Sequence, residues 1–181
     1  MSERSGPVRI ATPANLVTLV RAGGTGGILA ALALGRLDAP SWGLTLGALA
    51  LVLLDGLDGW LARRTGTASA FGARFDLEVD AALIAALALA VFSLERAGAW
   101  VLAGGLARYV FVLAARPWPW LARPLPPSRR RQSACVVQTI ALIIALTPAV
   151  APPASDAIAA LGVSAVLLSF GADAWWLKQR R

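Results

Sequence analysis

The stretch LLDGLDGWLARRTGTASAFGARFDLEVDAALIAAL, residues 53–87, contains four aspartates in otherwise apolar surroundings: Asp55, Asp58, Asp76 and Asp80. The first two are three positions apart and the last two are four apart, so the members of each pair share one face of a helix. A short turn between the pairs makes the two helices antiparallel neighbours. The four carboxylates are therefore predicted to converge at one end of a helical pair.

The rest of the chain is also apolar, since 57% of its 181 residues are hydrophobic and 15% are charged. This balance is typical of integral membrane proteins. A helix of about 20 apolar residues crosses a bilayer and satisfies its own backbone groups there. We predict an all-α integral membrane protein, with six transmembrane helices in a single bundle and one domain over residues 1–181. The predicted spans are 14–35, 41–62, 70–94, 97–115, 133–150 and 156–177.

The basic residues are distributed unevenly between the two ends of these spans. Arg36 and Arg96 fall on the side opposite to the N-terminus, whereas the basic residues of both termini and of the other connections fall on the N-terminal side. The positive-inside rule then predicts a multi-pass protein of the cell (inner) membrane, with both termini cytoplasmic. Contact of this basic face with anionic lipid explains the net charge of +7, so no nucleic-acid partner is predicted.

The four aspartates predict a metal site, because carboxylates in one pocket repel each other unless a cation lies among them. The chain has no histidine and a single cysteine, so the ligands are oxygens, which favour Mg²⁺ or Mn²⁺. Two such ions would balance four charges, and paired ions about 4 Å apart assist displacement at phosphorus. The alternative is that the aspartates form salt bridges with Arg63, Arg64 and Arg74.

The sequence of this region resembles the signature of the CDP-alcohol phosphotransferases. The matching positions are Asp55-x2-Asp58-Gly59-x2-Ala62-Arg63-x8-Gly72-x3-Asp76-x3-Asp80. The segment PANLVT, residues 13–18, is similar to the family's Pro-Asn-x-x-Thr entry to the first helix. The resemblance implies that a CDP-linked lipid, usually CDP-diacylglycerol, gives its phosphatidyl group to a small polar alcohol in phospholipid synthesis and that CMP is released. It also implies a homodimer, which the small residues of the third and fourth spans favour as well.

The resemblance further implies roles for individual residues. All four aspartates would hold two divalent ions, and Asp80 would also take the acceptor's proton. The positions that would contact the CDP-linked donor are Asn15, Thr18, Gly59, Ala62, Arg63, Ser69 and Gly72.

The binding site for the acceptor is predicted less narrowly. The run Arg129–Arg131 precedes the fifth span, where it would bind the phosphate of a phosphorylated acceptor or anchor the chain to lipid headgroups. The Gly-Lys-x-Lys-Thr-like stretch that family members with phosphorylated acceptors often carry is not found here, so the acceptor stays open. The candidate acceptor-binding residues are Arg108, Arg129, Arg130 and Arg131.

Two further interpretations concern charged side chains inside the spans. Arg21 and Arg108 lie well inside apolar spans, and each is expected either to contact a substrate phosphate or to pair with the aspartates. Glu78 is expected to pair with Arg74, four residues before it.

A transporter that moves cations or protons through the intramembrane aspartates is an alternative function, although its acids should lie near the bilayer midplane. Within the enzyme class, transfer from a CDP-linked small alcohol to a lipid hydroxyl is the alternative direction.

Overall fold

The structure, a computed structural model, describes residues 13–65, 70–126 and 128–180, with side chains over 16–56, 72–126 and 128–180. The described residues form six α-helices and one short 3₁₀ helix, and they contain no strand. The predicted all-α fold is therefore confirmed. The helices are α1 (Pro13–Ala33), α2 (Trp42–Thr65), α3 (Ala70–Ser93), α4 (Val101–Ala114), the 3₁₀ helix Pro119–Ala122, α5 (Arg129–Ala145) and α6 (Ala154–Lys178).

The helix boundaries follow the predicted segments closely except in α4 and α5. Helix α4 begins at Val101, four residues after its predicted start. Helix α5 begins at Arg129, four residues before its predicted start, so the basic run forms its first turn. Arginine is a good helix former, and the chain before it is rich in proline, which cannot continue a helix. At the other end α5 stops at Ala145, ahead of Pro148. The charged side chains thus belong to a regular helix and not to an irregular linker.

The helices pack around α3, which contacts α1, α4 and α5. On one side α1 and α2 pack together, and on the other α6 packs against α4 and α5. Large apolar side chains from several helices are fully or almost fully buried between them, as expected for a single core. This core includes Leu44, Leu51, Leu83, Leu87, Val91, Val101, Leu142, Leu146 and Val163.

Two glycines allow the closest helix approaches. A Cβ added to Gly105 would lie 2.7 Å from the Cβ of Ala88, and one added to Gly162 would lie 2.8 Å from the Cβ of Ala141. Real Cβ atoms do not approach so closely. At these two points α4 therefore approaches α3, and α6 approaches α5, because glycine has no Cβ. Close approach over small residues is typical of helices that pack in a membrane.

The buried guanidinium of Arg96 links the connections at one end of the bundle. It follows α3 and donates hydrogen bonds to the backbone carbonyls of Ala145 (3.2 Å), Thr147 (2.8 Å) and Val150 (2.5 Å) at and after the end of α5. The hydroxyl of Ser155, in the first turn of α6, donates to the Arg96 carbonyl at 2.7 Å. Arg96 therefore satisfies carbonyls that the end of a helix leaves without partners.

Among the described residues, two helical segments are long and apolar enough to cross a membrane, namely Leu16–Ala33 of α1 and Ala154–Lys178. Two shorter apolar segments, Trp42–Gly56 and Val101–Ala114, lie in α2 and α4. The arrangement of six transmembrane spans therefore stays a prediction.

Candidate metal centre

Three of the four predicted aspartates meet between α2 and α3. Asp55 projects from α2, and Asp76 and Asp80 project from successive turns of α3. One carboxylate oxygen from each lies within 4.8 Å of those of the other two, and all three side chains are half-buried. We call Asp55, Asp76 and Asp80 the acidic cluster. These acids meet although α2 and α3 are not the direct packing neighbours that the sequence predicted, since over the described residues each of the two helices packs against α1.

Arg21 of α1 lies at the centre of the acidic cluster. Its Nη1 is 2.8 Å from Oδ1 of Asp55 and donates to Oδ1 of Asp76 at 2.5 Å. Its Nη2 donates to Oδ1 of Asp80, and its Nε donates to the backbone carbonyl of Leu51 at 3.2 Å. The side chain is only 1% exposed. Of the two roles expected for Arg21, the structure shows the pairing with the aspartates.

The other arginine inside a predicted span pairs with a different acid. Arg108 of α4 donates to Glu78 of α3, so Glu78 contacts the neighbouring helix instead of forming the expected pair with Arg74 within its own helix. Arg108 is also close enough to Cys135 of α5 for the two to interact electrostatically, as are Asp80 and Arg131. Arg108 and Arg131 therefore lie in the same region of the protein as Asp80.

The family model of the CDP-alcohol phosphatidyltransferases matches residues 11–172, which include all six helices up to the last turns of α6. The chain belongs to this family. Members transfer a phosphatidyl group from a CDP-alcohol, and they are membrane-associated proteins. Comparisons with curated proteins and with solved structures give no match.

The donor-binding residues that the family resemblance implies are only partly visible in the structure of this transferase. Thr18 is buried on α1, one turn before Arg21, and Gly72 is half-buried in the first turn of α3. The side chains of the remaining predicted residues lie outside the described part of the chain. These are Asn15 in the first turn of α1, Asp58, Gly59, Ala62 and Arg63 in the last turns of α2, and Ser69 between α2 and α3.

Asp173 of α6 is a charged residue that the sequence analysis missed. Its side chain is 7% exposed and accepts a hydrogen bond from Arg130, and its Oδ2 lies 3.7 Å from Nε of Arg131. Arg131 also donates to the carbonyl of Pro126, whereas Arg129 is exposed. Arg130 and Asp173 line a groove of about 410 Å³ beside Trp175 and Trp176. A carboxylate surrounded by apolar residues near the end of the sixth apolar segment was the signal that could have identified Asp173.

The acidic cluster fits a divalent ion by its chemistry and its dimensions. Its ligands are all carboxylate oxygens, which Mg²⁺ prefers, and they already surround one cation, the Arg21 guanidinium. Mg²⁺–oxygen distances are about 2.1 Å, so two ligands on opposite sides of one ion are about 4.2 Å apart. The spread of the oxygens in the cluster, at most 4.8 Å, is close to that requirement. Family members typically use a divalent metal.

Proposed function

We propose that this transferase moves the phosphatidyl group of CDP-diacylglycerol to the hydroxyl of a small polar alcohol and releases CMP. Two divalent ions, Mg²⁺ or Mn²⁺, would be held by Asp55, Asp58, Asp76 and Asp80. The observation that carries the proposal is the meeting of three of these carboxylates around one cation, within 4.8 Å of one another. Family membership favours this reaction over transport of an ion through intramembrane acids.

The proposed chemistry is a displacement at the phosphorus of the phosphatidyl group. Asp80 accepts the proton of the acceptor hydroxyl, whose oxygen forms a bond to that phosphorus. The bond from the phosphorus to the bridging oxygen of the diphosphate breaks, and CMP leaves with the electron pair. Bound divalent ions would supply positive charge to offset the charge that develops on the leaving phosphate. Gly59, Arg63 and Ser69 contact the nucleotide and phosphates of the donor, as the family motif implies.

We further propose that residues 1–181 form one domain with six transmembrane helices in the inner membrane and both termini in the cytoplasm. Large apolar side chains are exposed along the described helices, and a soluble protein rarely exposes so many in one region. The clustering of Lys and Arg at one end of the helices supports the orientation. The exposed apolar side chains include Leu19, Leu29, Leu46, Leu53, Leu106, Val110, Leu113, Leu161, Leu168 and Trp175. The homodimer stays part of the proposal because small residues favour close helix contacts.

The metal requirement provides the direct test of the proposed function. Purified protein should release CMP from CDP-diacylglycerol only when both a divalent cation and a suitable alcohol are present, and a panel of radiolabelled alcohols identifies the acceptor. Excess chelator should reduce release to the background, and added Mg²⁺ or Mn²⁺ should restore it. Equal release in chelator would contradict the metal assignment. Transfer from a CDP-linked small alcohol to diacylglycerol, with none from CDP-diacylglycerol, would establish the reverse direction.

We assign the acceptor to the side of the acidic cluster that faces α5, where Asp80, Arg108 and Arg131 are all within electrostatic range of Cys135. Arg131→Ala should raise the acceptor's KM by about tenfold or more, because a hydrogen bond to a charged group contributes about 1.5–3 kcal/mol. The KM for the donor should change little. Arg116→Ala removes an exposed arginine from the connection between α4 and α5 and serves as the matched control, with both KM values unchanged. If Arg131→Ala raises the donor's KM instead, this arginine belongs to the nucleotide or lipid side.

A further inference from the structure

Arg21 is a cation buried inside an apolar helix, and its surroundings hold it in one orientation. The Nε atom donates a hydrogen bond to the backbone carbonyl of Leu51, on the neighbouring helix α2. The two terminal nitrogens then project towards Oδ1 of Asp55, Asp76 and Asp80. A backbone carbonyl cannot rotate away as a side chain can, so this hydrogen bond holds the guanidinium in place against the acidic cluster.

The contacts of Arg21 join three helices at one charged group. Arg21 belongs to α1, Asp55 and Leu51 to α2, and Asp76 and Asp80 to α3. Without a cation between them the carboxylates of α2 and α3 would repel each other. A guanidinium offers several N–H donors in a fixed plane, which lets it bridge carboxylates from different directions. The arrangement therefore allows the acidic cluster to stay assembled in the absence of a metal ion.

The same contacts make Arg21 compete with a divalent ion for the carboxylate oxygens. It contacts Oδ1 of Asp55, Asp76 and Asp80, the three residues whose carboxylate oxygens meet within 4.8 Å. Its positive charge also lowers the negative potential that would attract an ion. In a site only half open to water such charges act strongly, because the effective dielectric constant is well below that of water.

We propose that Arg21 is a built-in counter-ion of the acidic cluster, which holds the carboxylates together when divalent ions are absent and weakens the binding of those ions when they are present. This inference rests on the proposed function, since it takes the acidic cluster to be the metal site. It gives Arg21 two opposite effects: the residue stabilises the metal-free protein, and it keeps divalent ions exchangeable.

The test compares wild type with Arg21→Met in detergent or nanodiscs. Mn²⁺ binding is measured by electron paramagnetic resonance, and Tm is measured in EDTA and in saturating Mn²⁺. We expect Arg21→Met to bind Mn²⁺ about tenfold or more tightly than wild type, because one repelling charge is gone. We expect its Tm to fall in EDTA and to recover most of the loss in Mn²⁺.

Arg96→Met is the matched control, because Arg96 is also a buried arginine but donates to the backbone carbonyls of Ala145, Thr147 and Val150. Its Tm should fall equally in EDTA and in Mn²⁺, and its Mn²⁺ affinity should equal that of wild type. Arg21→Lys keeps the charge and should stay within about threefold of the wild-type Mn²⁺ affinity. Arg21→Gln, which is neutral but still able to donate to Leu51, replaces Arg21→Met if that variant does not fold.

The outcomes separate the two proposals. If wild type binds no Mn²⁺, the proposed metal site itself is wrong. If wild type binds Mn²⁺ and neither neutral variant binds it more tightly, Arg21 is a structural residue only and the counter-ion role is overturned. Equal tightening by Arg21→Lys and Arg21→Met would also overturn it, because the charge would then not determine the affinity.

Discussion

Replacement of Asp80 by asparagine is expected to lower the turnover of the transferase by about 10²-fold or more, the usual contribution of a general base. Asparagine keeps the volume and can offer one oxygen to a metal or to Arg21, but it cannot take the proton of the acceptor. CDP-diacylglycerol should still bind, because Asp55, Asp58 and Asp76 would retain at least one ion. The measurements are kcat at saturating metal and the affinity of the purified variant for the donor.

A matched control for this variant is Asp156→Asn. Asp156 lies in the first turn of α6 and accepts a hydrogen bond from the backbone N–H of Gly98, at the end of the bundle away from the acidic cluster. Its replacement should leave turnover unchanged. Near-normal turnover of Asp80→Asn at saturating metal would remove the base assignment and leave Asp80 as a ligand only.

Asp55→Asn is expected to weaken the binding of metal and of donor together. Asp55 is the member of the α2 pair whose side chain the structure describes, and one of its carboxylate oxygens lies within 4.8 Å of those of Asp76 and Asp80. Changes to groups that only support a metal ligand cost about 10–100-fold in affinity, so the loss of a proposed ligand should cost at least tenfold. Mn²⁺ binding and donor KM should both worsen, and excess Mn²⁺ should restore part of the activity.

The control for Asp55→Asn is Asp38→Asn, which removes an exposed carboxylate from the connection between α1 and α2. It should bind Mn²⁺ and donor as wild type does. An Asp55→Asn variant with unchanged Mn²⁺ affinity and a higher donor KM would mean that Asp55 contacts the donor and is not a metal ligand.

The helices and the placement of acids along one helix were predicted because both depend on short-range patterns. Apolar run length gives the helices, and a spacing of four residues places Asp76 and Asp80 on one face. Asp55 meets them as predicted, but not because α2 packs directly against α3: over the described residues α1 packs against both helices, and its Arg21 bridges the three acids. The proline residues that delimit α5 were visible too, but the predicted span was based on apolar residues and missed the charged first turn.

The contacts that the sequence missed or left open between alternatives are those that cross between helices distant in sequence. Arg21 and Asp80 are 59 positions apart, and Arg130 and Asp173 are 43 apart. Glu78 had a partner available at helical spacing, and yet the structure pairs it with Arg108, 30 positions away. Which side of α4 faces α3 depends on close packing at Gly105, and no local spacing encodes that choice.

The position of Arg96 has a mechanical consequence for substrate entry. Its contacts and those of Ser155 tie the end of α3 to the end of α5 and the beginning of α6, while Asp76, Asp80 and Asp173 all lie towards the opposite ends of their helices. Helices that are held together at one end can separate more easily at the other end. If the helices separate to admit the proposed two-chain lipid donor, the movement should therefore pivot about Arg96 and be largest beside the carboxylates.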